Sequence, residues 1–235
     1  MNPAETWRYA GGDECADFFT ACLKAAAIDL PADAKVLEIG CAEFDWLTPA
    51  SQAWPEMTIT GVDWRGKGQQ GHYTRLQADV RNPELFAPES FDWIVSISAI
   101  EHVGLGHYNN DPRDADGDTV AIANAFRWLK PNGWLLFDVP YNPKGYSVQG
   151  TSHREYDDDA LFLRLWSAPL ARAKASASWR GTYYCEKHAT SVLVEKPREP
   201  GTPFYYVGMA FQKVGWLASM DSNHDTHLQR VLSCR

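Results

Sequence analysis

Three acidic residues stand at the ends of three short apolar runs in the first part of the chain. Glu38 lies near the end of the first run, and Asp63 and Asp79 directly follow the second and the third. Carboxylates in such positions can accept hydrogen bonds from the hydroxyl and amino groups of a ligand. Gly40 follows the first run, where the chain turns without a side chain in the way. These residues predict a polar ligand site.

A long polar segment, residues 96 to 118, follows a fourth apolar run and contains His102, His107 and Tyr108. Histidine titrates close to neutral pH, so either imidazole can take or give a proton there. Loops of this length beside the ligand edge of a compact domain are usually functional. We therefore expect the chemistry of the protein to lie on this segment.

The apolar runs predict five strands that alternate with helices or loops. They are expected at residues 35–39, 57–62, 73–78, 91–98 and 134–139. This alternation is typical of a parallel, doubly wound α/β sheet with right-handed crossovers. Ligands of such sheets bind beyond the carboxyl ends of the strands, so Gly40 and Asp63 should lie over one crevice.

Helices are predicted before and between these strands from their apolar spacing and their caps. They are expected at residues 13–28, 48–54, 119–130 and 157–166. Asp118 is the predicted N-cap of the third helix, and Pro131 should stop that helix.

Two aromatic, β-branched runs, at residues 182–194 and 204–214, predict an antiparallel hairpin at the sheet edge. The expected fold is thus a Rossmann-like, doubly wound, mostly parallel α/β sheet of about seven strands with an antiparallel C-terminal hairpin. We expect a single domain over residues 1–216 that includes an N-terminal helical arm at 1–30. A polar tail should occupy residues 217–235.

The formal net charge of −8 argues against a partner bound through its phosphates, because such binding relies on a surplus of Lys and Arg. A small-molecule partner is expected, nucleic acid is not, and a homo-oligomer stays open. Five cysteines without a C-x-x-C spacing indicate reduced thiols rather than a zinc site or disulfides. With no signal peptide or membrane-length apolar run, we expect a soluble cytoplasmic protein.

The turn after the first strand discriminates between nucleotide-like ligands. A dinucleotide fingerprint needs G-x-G-x-x-G, but here only Gly40 is present, and Glu43 and Asp45 stand where a pyrophosphate would approach. A ligand with a cationic sulfonium, a free amine and a ribose but no phosphate has the opposite needs. We therefore predict S-adenosylmethionine as the cofactor.

The segments V-L-E-I-G-C-A-E, G-V-D-W and Q-A-D-V resemble motifs I, II and III of the class I S-adenosylmethionine-dependent methyltransferases. The resemblance implies that Asp63 binds the ribose hydroxyls, that Asp79 binds the adenine amine and that Val80 supplies a backbone donor. Ala42 stands where many members carry glycine. The predicted cofactor-binding residues are Glu38, Gly40, Cys41, Ala42, Asp63, Trp64, Asp79, Val80 and Ser98.

A second series, E-H-V-G-L-G-H-Y, D-x-D-G-D, L-K-P-N-G and H-R-E-Y, resembles one methyltransferase-like family first catalogued from nematode proteins of unknown function. We predict methyl transfer to a small molecule, with O-methylation of a sugar or other metabolite hydroxyl as the expected reaction. His107 or His102 is the predicted base, and Tyr108 completes the catalytic set. The predicted substrate-binding residues are Tyr141, His153, Arg154 and Tyr156.

Some alternatives stay open. Glu101 and His102 could instead pack structurally beside the cofactor, and His153 and Arg154 could tie down the neighbouring loop. The whole protein could be a cofactor-binding or scaffold subunit without turnover, or could methylate RNA or protein. No metal is expected, because Ser98 stands where an E-x-x-E-H metal pair needs an acid.

Overall fold

The computed structural model describes residues 33–41, 55–65, 73–108, 111–169, 178–187, 190–194 and 205–214. The predicted helices at 13–28 and 48–54, the N-terminal arm, Ala42 and the C-terminal tail lie outside these residues.

Five parallel strands form one half of the sheet. They are β1 (Lys35–Ile39), β2 (Thr58–Asp63), β3 (Tyr73–Gln77), β4 (Phe91–Ser96) and β5 (Leu129–Tyr141). β1 is central and pairs with β2 on one side and with β4 on the other. Because these strands run in the same direction, their carboxyl ends meet at one edge of the sheet.

Three antiparallel strands form the other half. They are β8 (Ser178–Lys187), β9 (Thr190–Val194) and β10 (Tyr205–Val214). The full order is β3-β2-β1-β4-β5-β10-β8-β9, with β10 antiparallel to both β5 and β8. The predicted fold class is confirmed, including the antiparallel C-terminal part. The run predicted as one strand at 182–194 is divided between β8 and β9, which gives eight strands in the sheet.

Helix α1 (Gly117–Trp128) packs its apolar face against the sheet. Phe126 and Trp128 are almost completely buried, and the ring of Phe126 lies 5.7 Å from that of Phe211 on β10. Burial of each such side chain contributes roughly 1.5–3 kcal/mol to folding. The helix therefore anchors the start of the segment that leads into β5.

The predicted N-cap of this helix is wrong. The helix begins two residues earlier than predicted, and Asp116 is its N-cap residue, without a side-chain capping bond. Asp118 lies in the first turn and is fully buried. Its carboxylate accepts hydrogen bonds from Tyr156 and Arg164, so long-range partners rather than the helix terminus hold it.

β5 begins at Leu129, directly after the helix, although Pro131 was predicted to separate the two. Leu129 pairs with Phe91, and pairing resumes only at Trp134 with Trp93. Residues 130–133 bulge outward between these pairs, with Asn132 at a φ of 66°. The bulge places the proline where no ladder hydrogen bond is needed.

A short hairpin follows β5 and was not predicted. It consists of β6 (Ser147–Gln149) and β7 (His153–Glu155), and Tyr156 bridges back to Tyr141 at the end of β5. Helix α2 (Asp158–Phe162) comes next, capped by the Asp157 side chain, which accepts from the Ala160 amide. It continues as a π-helical turn, Leu163–Ser167.

Across the described ranges, no helix combines the length and the apolar character needed to cross a membrane.

Candidate active site

A crevice opens at the carboxyl ends of β1, β2 and β4. Eight of the residues singled out from the sequence line it, which are Gly40, Asp63, Trp64, Asp79, Val80, Ser98, His102 and Tyr108. The structure therefore brings together the strand-end acids and part of the histidine segment.

Gly40 forms the floor of the crevice. Its amide donates a hydrogen bond to the Val62 carbonyl at 2.8 Å, and its φ is +88°. A Cβ at this position would stand 2.2 Å from the Ala99 Cβ. Only glycine meets both conditions, the left-handed backbone and the close approach. Behind it, Glu38 and Cys41 are each 1% exposed, so they lie beneath the crevice rather than in its lining.

Asp63 and Asp79 each bind an arginine two positions further along the chain. The Arg65 amide and Nε donate to Asp63 Oδ1 at 2.8 and 3.2 Å. The Arg81 amide and Nε donate to Asp79 Oδ1 at 2.9 and 2.8 Å. Burial alone would raise the pKa of Asp79, but the hydrogen bonds and charge of Arg81 outweigh it and hold that pKa below its usual value. Both carboxylates are therefore already engaged by an arginine of the same strand end.

The segment Val103–Asp116, called the crevice loop below, is closed at its base. Asp114 donates its amide to the Gly104 carbonyl at 2.8 Å. A Cβ on Gly104 would stand 2.4 Å from the Asp114 carbonyl oxygen, and a Cβ on Gly117 would stand 2.5 Å from that of Val103. The two ends of the loop thus touch through backbone, at a distance that side chains would prevent.

The middle of the crevice loop reaches the acids of the crevice through the same two arginines. Arg81 contacts Asp111 at 3.1 Å and donates to the Pro112 carbonyl. The guanidinium carbon of Arg65 lies 3.9 Å from the ring centroid of Tyr108, within the range of a cation–π contact. The loop is therefore tied to both strand ends.

Three histidine rings cluster at the mouth of the crevice. The ring of His102 stacks on that of His107 at 5.3 Å between centroids and lies 6.4 Å from that of His153. The Tyr108 ring lies 4.5 Å from that of His107. His102 lines the crevice, whereas His107 is exposed and forms its outer neighbour.

The hairpin fixes the tautomer of His102. Its Nδ1 lies 2.5 Å from the carbonyl oxygen of Ser152, which can only accept, so Nδ1 carries the proton. In the neutral ring, Nε2 is then the acceptor. The closest carboxylate to Nε2 is that of Glu101, at 3.8 Å.

Glu101 is one of two buried acids at the base of this cluster. Burial, and then the charge of Asp138, raise the pKa of Glu101 well above its ordinary value. Asp138 accepts a hydrogen bond at 2.6 Å from the amide of Ser98, whose φ is +45°. This contact holds the backbone turn at the end of β4 in place.

Three of the four predicted substrate-binding residues do not face the crevice. Arg154 and Tyr156 are 0% exposed and Tyr141 is 8% exposed. Tyr156 and Tyr141 direct their hydroxyl groups to Asp118 and Asp158. The prediction that Arg154 and Tyr156 contact the substrate directly is therefore corrected, because both side chains are enclosed by protein. His153 remains beside His102, with Nδ1 2.9 Å from Ser152 Oγ.

Four residues that shape the site were not predicted as site residues, namely Arg65, Arg81, Asp138 and Ser152. The two arginines have a visible signal, because D-x-R occurs at the end of both β2 and β3. Asp138 and Ser152 act on residues 40 and 50 positions away, which no local pattern shows.

The sheet order, the glycine turn and the strand-end acids are those of a class I methyltransferase. The model of a methyltransferase domain family matches residues 7–189, and the chain belongs to that family. The match confirms the predicted class, for which S-adenosylmethionine is the cofactor.

Individual proteins show the same relationship. The malonyl-(acyl-carrier protein) O-methyltransferase of Paenibacillus sp. (strain JDR-2) is 28% identical over 188 residues, which span 70% of this chain and 62% of that protein. The structure of Burkholderia thailandensis 1,6-didemethyltoxoflavin-N1-methyltransferase with S-adenosylhomocysteine has a TM-score of 0.53 and 13% identity, covering 89% of this chain and 81% of that one.

A further structure with the same fold is that of the (4+2)-cyclase SpnF. Its TM-score is 0.54 at 14% identity, covering 85% of this chain and 82% of that one. At these identities, the structural similarity shows the fold alone.

Proposed function

We propose that this protein transfers the methyl group of S-adenosylmethionine to a hydroxyl oxygen of a small molecule, a sugar or another metabolite. The observation that carries the proposal is the position of His102. This imidazole lines the crevice, and the Ser152 carbonyl leaves its Nε2 as the proton acceptor. A hydroxyl group must lose its proton as it is methylated, and a positioned imidazole can take that proton near neutral pH.

The residues of the crevice fit the cofactor. Among the described lining residues, Asp63, Asp79 and Asp111 are acidic and Arg65 is the one arginine, so a cation is favoured over a phosphate-bearing ligand. Asp63 and Asp79 would accept hydrogen bonds from the ribose hydroxyls and the adenine amine, and Gly40 leaves the floor bare. When bound, the cofactor would supply the electrophilic methyl group.

The acceptor side of the crevice would be formed by His102, Tyr108 and His153. His102 would take the proton, and Tyr108 and His153 would orient the acceptor beside it. His107, stacked on the outer face of His102, would shield that ring from solvent. This arrangement supports His102 rather than His107 as the base.

Two further arguments concern the acceptor atom and the charge of the acceptor. The Paenibacillus relative carries O-methyltransferase in its name, which favours oxygen as the acceptor atom here. The net charge of −8 does not suit a polyanionic acceptor. Membership of the methyltransferase-like family first catalogued from nematode proteins remains a prediction.

A cofactor-binding subunit without turnover is the second candidate. A protein of the same fold that is named as a cyclase shows that this fold is not restricted to methyl transfer.

Two measurements test the proposal. Calorimetry measures the binding of S-adenosylmethionine and of S-adenosylhomocysteine. A turnover assay then measures the release of S-adenosylhomocysteine with a panel of monosaccharides, nucleotide sugars and phenols as acceptors. We expect micromolar binding of both cofactor forms and turnover with at least one hydroxylated acceptor. Absence of binding would overturn both candidates. Binding without turnover across the panel, and with the cofactor stable, would favour the second.

A further inference from the structure

We propose that Arg154 is a positioning residue for methyl transfer, which fixes both ends of the crevice loop and thereby places His107 and Tyr108 against His102. This inference rests on the proposed function for its role in catalysis. Its structural part, the control of the loop by a buried guanidinium, can be tested without an acceptor.

The guanidinium of Arg154 bridges the two ends of the loop. Its NH1 group donates to the carbonyls of Glu101 and Val103, at 3.2 and 2.7 Å. Its NH2 group donates to the carbonyls of Asp114 and Ala115, at 3.2 and 3.4 Å. The first pair of carbonyls lies where the loop begins and the second where it ends, so one planar group sets the distance between them.

The charge of Arg154 is compensated inside the protein. Its Nε lies 3.7 Å from Asp118 Oδ1, and both side chains are almost completely buried. Asp118 also accepts from Arg164 at 2.6 Å and from the Tyr156 hydroxyl at 2.9 Å. A buried ion pair is rarely retained for its contribution to stability, because desolvation offsets the attraction. The fixed fork of donors is the property that an apolar side chain could not replace.

Both ends of the crevice loop are therefore held from below, and its middle is held from the crevice side by Arg81 and Arg65. The same strand end holds His102, since Ser152 lies two residues before Arg154. The hairpin thus places the base on one side and the loop on the other. A change in the loop base would displace the rings of His107 and Tyr108 relative to that of His102.

Lysine cannot reproduce this arrangement. Its ammonium is a single point with three donors, whereas the guanidinium offers five donors in a fixed plane. Arg154→Lys keeps a positive charge beside Asp118, so the buried carboxylate stays compensated while the span between the carbonyl pairs is lost. Arg164→Lys is the matched control, because Arg164 also binds Asp118 and Ala115 but contacts neither Glu101 nor Val103.

The experiment compares the parent protein with these two variants. Hydrogen exchange of peptides from residues 103–116 should accelerate about tenfold or more in Arg154→Lys and less in Arg164→Lys, since hydrogen bonds to a charged donor are the ones removed. The NMR ring signals of His102 and His107 should move, because their stacking changes. The affinity for S-adenosylhomocysteine should stay within about threefold of the parent.

Unchanged loop exchange and unchanged histidine signals in a folded Arg154→Lys protein would overturn the proposal. Failure of the parent to bind S-adenosylhomocysteine would instead overturn the proposed function, while the loop measurements would still decide the role of Arg154.

A second variant covers the case in which Arg154→Lys does not fold. Gly117→Ala would force a Cβ to within 2.5 Å of the Val103 carbonyl oxygen, one of the four acceptors, without altering any charge. It should produce the same shift of the His102 and His107 signals, and parent-like signals would contradict the proposal.

Discussion

The two sides of the crevice are built in different ways. On the side proposed to bind the cofactor, each acid is held by a residue two positions away, Arg65 for Asp63 and Arg81 for Asp79. On the side proposed to bind the acceptor, His102 is bound by Ser152 and the crevice loop by Arg154, at sequence separations of 39 to 53 residues. The cofactor side is therefore a local property of strand ends, while the acceptor side exists only in the folded domain.

This difference teaches where variation can enter. Each pair of acid and arginine lies within one strand end, so it involves few other elements. The acceptor side requires the hairpin, α1 and the loop to be placed together, so changes in any of them alter its shape.

Loss of the base should have the largest effect. His102→Asn should lower turnover about 10²–10⁴-fold, the usual contribution of general acid–base catalysis, with cofactor affinity nearly unchanged. His107→Asn should lower turnover much less, because its ring is the outer one. Steady-state kinetics with an acceptor from the panel measures both, and equal losses in the two variants would contradict the assignment of His102.

The cofactor side should lose affinity rather than rate. Asp63→Ala removes an acceptor of two ribose hydroxyls and should weaken cofactor binding about 100-fold. The reason is that each hydrogen bond to a charged group contributes roughly 1.5–3 kcal/mol. Calorimetry measures this. Asp92→Ala is the control, because Asp92 begins β4 at the opposite edge, where it pairs with Lys130. Equal affinity in Asp63→Ala and the parent would show that Asp63 does not bind the ribose.

Gly40 separates backbone strain from crowding. Gly40→Ala should destabilise the fold by more than the roughly 1–2 kcal/mol of a left-handed non-glycine residue, because its Cβ would also overlap that of Ala99. Gly150→Ala, at a φ of +60° with no atom within 4 Å, should show the backbone cost alone. Urea unfolding compares them, and equal costs would mean that Ala99 yields without penalty.

Glu101 should give stability a pH dependence. Its pKa is raised in the folded protein by burial and then by Asp138, so the folded state holds the proton more tightly than the unfolded one. The contribution to stability is therefore complete below the ordinary value of 4.5 and is lost as pH rises through the folded-state pKa.

Glu101→Gln stays neutral at every pH, so it should raise Tm at pH 8 but not at pH 4. Glu84→Gln, whose side chain is 75% exposed, should change Tm at neither pH. An equal Tm difference between Glu101→Gln and the parent at both pH values would contradict the raised pKa of Glu101.

The parallel half of the fold was predictable because the residue pattern within each strand indicates that strand. β1, β2 and β4 are short runs rich in apolar and β-branched residues, and the positions of Asp63 and Asp79 follow from such runs. The limits of prediction lie where partners are distant. Asp118 was interpreted as a helix cap because its neighbours suggested one, whereas its partners Tyr156 and Arg164 lie 38 and 46 residues away.

The hairpin had no usable pattern. Its strands have three residues each, too short for an alternation to be visible. H-R-E-Y could be noted as a motif, but its sequence could not show that Arg154 and Tyr156 point inward while His153 stays beside His102.

The contact between Gly104 and Gly117 has one more consequence. Because the chain enters and leaves the crevice loop at almost the same point, the number of residues in the loop does not affect the position of the sheet. Lengthening such a closed segment costs free energy only slowly. A loop of another length could therefore be placed between these two glycines while the sheet stays unchanged.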